Sequence, residues 1–148
     1  MNTISKSLGM LLLCLIATES FSQLKKQSIF SKFPNAIAAS EIQFNNAFSA
    51  KEGETITLSF SNNFIITGIV LSNVQKYDNL QSMTIQLPAY ANAIFNLSKQ
   101  TEVGRNTSFV GRILSTEAMD GYEIKKDAND SYTFQKVEEQ KLRQICSQ

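Results

Sequence analysis

The sequence predicts an α+β fold that is mainly β: an antiparallel meander of about seven strands, curled or barrel-like, with one N-terminal helix and room for a short C-terminal one. Three observations predict it. Hydrophobic periodicity changes at Thr55 from helical spacing to alternation, and the alternation persists to Val137. The connections between the alternating runs are too short for the crossovers that parallel strands need. Finally, about seven strands spaced ~4.8 Å apart make a sheet roughly 34 Å wide, and one helix, about 10 Å across, cannot cover its apolar side.

The chain begins MNTISKSLGMLLLCLIATESFS. Lys6 is a positive start, Leu8 to Ala17 is an apolar run, and Ser20 and Ser22 are small residues at −3 and −1 of a cleavage site. That is the three-part pattern of a secretory signal. The run of about ten residues makes roughly 15 Å of helix, half of what a bilayer span needs. Residues 1–22 are therefore expected to be removed, leaving Gln23 first and no membrane span. Leu11, Leu12 and Leu13 before Cys14 lack the small residues of a lipidation site. The expected location is periplasmic or extracellular.

Residues 23–33, QLKKQSIFSKF, mix basic and apolar side chains without a period and read as an N-terminal arm. Residues 34–148 read as a single domain. Pro34 suits a first helical turn, and Ser40-Glu41-Ile42-Gln43 has capping-box spacing. Ile37, Phe44, Ala47 and Phe48 share one helical face, so a helix is expected within 35–49, ended by Lys51-Glu52-Gly53-Glu54. TITLSF then alternates Ile56, Leu58 and Phe60 against hydroxyl residues, and Ser61-Asn62-Asn63 marks a turn. FIITGIVL is apolar on both parities and is expected to be the most buried strand, with Gly68 marking a bulge or close approach. QSMTIQL alternates Met83, Ile85 and Leu87, and Pro88 stops it. ANAIFNLSK and TSFVGRIL follow, and then GYEIKK and SYTFQK flank the turn Asp127-Ala128-Asn129-Asp130. EEQKLRQIC suits a short helix, with Glu139 and Arg143 an i,i+4 pair.

Composition excludes more chemistry than it indicates. The chain has 148 residues, no histidine, two cysteines and a formal charge of +1. No histidine means no Ser-His-Asp or Cys-His catalysis and no HExxH zinc site. One mature cysteine cannot build a thiolate metal site. No P-loop, GxGxxG or GxSxG occurs, and the near-neutral charge supplies no field for nucleic acid. Neither a cofactor nor a metal is expected, and the protein is read as non-catalytic. A hydrolase using two carboxylates is the minor alternative. Asp127 to Ser131 resembles the start of a calcium loop but lacks its glycine and its final glutamate, so a hairpin turn accounts for it. Asn96, Asn106 and Asn129 begin N-x-S/T sequons.

The speculative ligand-binding residues are Arg112, Tyr122 and Tyr132. Arg112 lies between Val110 and Leu114, on a parity that otherwise reads apolar. It is either an arginine snorkelling to the rim or an anchor for a ligand carboxylate in the sheet interior. Tyr122 and Tyr132 suit either a binding surface or cross-strand packing. Cys146 loses its only intrachain partner, Cys14, with the signal, which leaves a free thiol or an intermolecular disulfide. The functional expectation is an exported protein that binds a protein partner or an apolar small ligand through a curved sheet. The alternative is a homodimeric structural or assembly protein of the cell envelope.

Overall fold

The computed structural model describes residues 26–102, 104 and 106–138. The expected signal segment, C-terminal helix and Cys146 lie outside them. The elements are β1 (Ala36–Ala39), α1 (Glu41–Ala47), β2 (Thr55–Ser61), β3 (Phe64–Tyr77), β4 (Leu80–Leu87), a 3-10 turn (Pro88–Tyr90), β5 (Ala93–Gln100), β6 (Ser108–Leu114), β7 (Asp120–Lys126) and β8 (Tyr132–Glu138). The strands form one antiparallel sheet in the order β1-β8-β7-β6-β5-β4-β3-β2. The edge strands β1 and β2 lie side by side without a hydrogen-bonded ladder, so the sheet is a nearly closed barrel. Rolling hides the broad apolar side that a single helix could not cover.

The strands number eight, one more than the alternation counts. The extra strand, β1, falls inside the window expected to be helical. Ala-Ile-Ala-Ala has no strong preference of its own, and pairing with β8 decides it: Ala36 lies opposite Gln135 and Ala39 opposite Tyr132. The helix is correspondingly short. Pro34 does not open it, and α1 begins only after Ser40. Ser40 makes no side-chain cap bond, and the Gln43 side-chain Oε1 accepts the Ser59 N–H at 3.4 Å instead. The capping box therefore does not form. Phe44, Ala47 and Phe48 are buried as the helical spacing predicts, while Ile37 is buried from β1.

A second difference concerns β3. Phe64, Ile66 and Val70 point inward and are buried, but Ile65, Ile69 and Leu71 point outward and are 46%, 37% and 43% exposed. A barrel has one interior, so only one parity of an all-apolar strand can be covered. Gly68 stands on the inner parity. A Cβ there would lie 2.5 Å from the Gln86 carbonyl oxygen, so the β3–β4 contact requires glycine.

Aromatic rings fill the barrel. Phe134, fully buried on β8, has Phe60, Phe64, Phe95, Phe44 and Tyr122 around it at ring-centre distances of 4.8–6.2 Å. The sheet thus encloses side chains rather than open space. α1 covers one end of the barrel, where Phe44 meets Phe109 and Tyr132. Residues 27–34 cover the other, where Phe30 is fully buried.

Candidate functional site

The candidate site lies on the outer wall, where β6 and β7 part. These strands are in register only at Arg112–Glu123 and Ile113–Tyr122. Toward the α1 end they separate. The hydroxyl of Tyr132, reaching across from β8, accepts the Phe109 N–H of β6 at 3.0 Å, a donor that a continued β7 ladder would otherwise engage. The separation leaves a groove of about 760 Å³ lined by Ser108, Val110, Arg112, Glu123, Lys125 and Lys126, among others, with Tyr132 beneath. Gly111 also lines it, and a Cβ there would point inward, 2.7 Å from the Asn96 carbonyl oxygen and 2.9 Å from the Ile124 side chain, so the β5–β6 contact requires glycine. A smaller depression of about 380 Å³ shares Asn96 and Leu114 with the groove and continues along the wall to Asp120.

Alternation along each strand positions the charges. Tyr122 and Ile124 point inward from β7, so Glu123 and Lys125 point out, beside Arg112 of β6. One oxygen of Glu123 accepts both Arg112 Nε at 3.2 Å and Nη2 at 3.0 Å, and the other meets Lys125 Nζ at 2.6 Å. Burial pushes the Glu123 carboxyl up, but hydrogen bonds from Lys125 and Arg112, with their charges, outweigh it and hold it below the usual range. One carboxylate thus faces two cations, and Arg112 and Lys125 remain about half exposed, with donors left for an incoming anion. Lys126 pairs with Asp130 at 3.1 Å, which raises its pKa, and lies 5.4 Å from the centre of the Tyr132 ring.

Arg112 and Tyr132 line the same groove, one from the rim and one from beneath. Tyr122 does not join them. It is fully buried among the interior rings, its hydroxyl donates to the Pro34 carbonyl at 2.6 Å, and burial together with the charge of Asp120 pushes its phenol up to about 12. Arg112 lies on the outer wall with Glu123, so its apolar-looking parity is the solvent parity, shared with exposed Val110. Sequence reasoning missed Glu123, Lys125 and Val110 as groove residues. Their outward parity was readable, but their neighbourhood to Arg112 depends on the β6–β7 register.

Among the described residues no cluster of three or more acidic or cysteine side chains could hold a metal ion. Asp127 accepts the N–H groups of Asn129 and Ser131 at 2.8 and 2.9 Å, which makes that segment an ordinary hairpin turn. Glu138 stands opposite Asp120 in the β7–β8 register, but both Asp120 oxygens already accept donors from the N-terminal arm. The chain matches no family model, and no curated protein or solved structure is significantly similar to it.

Proposed function

We propose that the protein is exported and works without catalysis, binding a protein partner on the outer wall of its barrel at the groove between β6 and β7. The observation that carries this reading is the exposed Arg112–Glu123–Lys125 arrangement beside bare Val110, at the place where two strands stop pairing. Exposed cations flanking an apolar strand residue suit an extended segment that alternates carboxylate and apolar side chains. The ring-filled interior favours the wall over the lumen as the binding surface, and with it a protein partner over an enclosed apolar ligand.

The test is an amide NMR titration with the acidic extended peptide acetyl-Glu-Val-Glu-Val-Glu-amide. Resonances of 108–112 and 123–126 should shift, less so in high salt, and Arg112→Glu combined with Lys125→Glu should abolish the shifts. Shifts confined to other strands, or unaffected by the charge reversal, would contradict the reading. A second reading, association of two copies, is favoured by the exposed row Ile65, Ile69 and Leu71 on β3. Light scattering of the wild-type chain and an Ile69→Lys variant tests it: the wild type should be dimeric and the variant monomeric. A wild type that stays monomeric would dismiss this second reading.

A further inference from the structure

Residues 27–34 close the barrel end opposite α1, and they sit there as a bound peptide would. Gln27 makes an isolated parallel bridge to Ala118, and its carbonyl accepts the Met119 N–H at 3.1 Å. Asp120 is the only buried charged side chain among the described residues, and its two oxygens are taken up by the arm. One accepts the Ile29 N–H at 2.8 Å; the other accepts the Phe30 N–H at 3.1 Å and the Ser28 hydroxyl. The Phe30 ring is fully buried, stacked 5.3 Å from Tyr90 and edge-on 5.3 Å from Tyr122. Tyr122 and Lys136 donate to the Pro34 and Phe33 carbonyls, each at 2.6 Å.

This is main-chain recognition with one aromatic anchor. A carboxylate takes two consecutive N–H groups and a slot takes one ring, the combination that secures extended peptides on other scaffolds. None of these contacts depends on the arm being joined to its own β1. Asn35, the joint between arm and β1, is exposed, and its carbonyl accepts the Lys136 N–H at 2.7 Å, a bond that exchange must break and remake. An identical segment from another molecule would make every contact described above, so exchange replaces each of them with its like.

We propose that this end of the barrel is a peptide-binding site that accepts residues 27–34 of a second copy of the chain in exchange for its own. The seated arm identifies the occupant. The site is separate from the groove between β6 and β7, and the two stand or fall independently.

The probe is a fluorescent synthetic peptide of residues 26–35, KQSIFSKFPN, added to the full mature chain and followed by anisotropy. In the wild type the tethered arm competes at a high effective concentration and holds peptide binding down. Ile29→Pro removes the N–H that Asp120 accepts and leaves every barrel residue in place. The peptide should bind this variant about tenfold or more tighter than wild type, and Phe30→Ala should act in the same direction. Adding Asp120→Asn to Ile29→Pro should cancel the gain. Sedimentation of concentrated wild-type chain should show a dimer that excess peptide converts to monomer, which a dimer held through the β3 face would not do.

The proposal is overturned if both arm variants keep the wild-type circular dichroism spectrum yet bind peptide no tighter. It is equally overturned if a peptide with alanine in place of its Phe30 binds as well, or if the wild-type chain is monomeric throughout. Loss of the β spectrum in both arm variants overturns it too, because an arm the barrel cannot release cannot be exchanged.

Discussion

Replacing Phe134 with alanine should be among the most damaging single changes to the barrel. The ring is fully buried and meets five others, Phe60 nearest at 4.8 Å and Tyr122 farthest at 6.2 Å. These neighbours come from β2, β3, β5, β7 and α1, so they cannot collapse into the vacated space together without moving several strands. Phe→Ala in such a site costs about 3–5 kcal/mol, transfer and cavity together. In a domain of this size that lowers the melting temperature by roughly 10–20 °C. Urea unfolding followed by far-UV circular dichroism measures the difference, with Gln135→Ala as control, since Gln135 is the outward neighbour on the same strand and should change stability by less than about 0.5 kcal/mol. A Phe134→Ala loss below about 1 kcal/mol, well under the cavity range, would refute the ring-filled interior.

Three further outcomes are expected. Gly68→Ala should destabilise by about 1–3 kcal/mol in the same urea assay, because its Cβ would meet the Gln86 carbonyl oxygen at 2.5 Å. Absorbance at 295 nm should show a tyrosine ionisation near pH 12, and Tyr122→Phe should remove that component. The folded-state pKa is raised, so the folded protein holds this proton more tightly than the unfolded chain does. The stability it contributes is complete below about pH 10 and should be lost as pH rises to about 12. Intact-mass measurement of the protein purified from its native host should give a chain beginning at Gln23, and a retained leader would contradict the proposed export by cleavage.

Much of the barrel is legible in the alternation of residues. β4 and β5 bury Met83, Ile85, Leu87, Ala93, Phe95 and Leu97 on the parity that alternation assigns, and β7 and β8 bury Tyr122, Ile124, Tyr132 and Phe134 likewise. What escaped detection had no period to detect. β1 is four residues long and becomes a strand only against β8. Phe30 plugs an end from an arm that lies outside every helix and strand, so it has neither helical nor strand spacing. Ile65, Ile69 and Leu71 mislead because hydropathy reports what a side chain prefers, while closure of the sheet decides which side is covered. The groove was legible only through Arg112; its partners Glu123 and Lys125 become neighbours through a pairing register that no local pattern encodes.

The barrel's closure and its filled interior are tested together by the nuclear Overhauser spectrum of the purified protein. Contacts between Ile37 of β1 and Phe134 of β8, with contacts from the Phe134 ring to Phe60 and Phe95, are the predicted result. Their absence, with the β1 amides exchanging as fast as free chain, would contradict it.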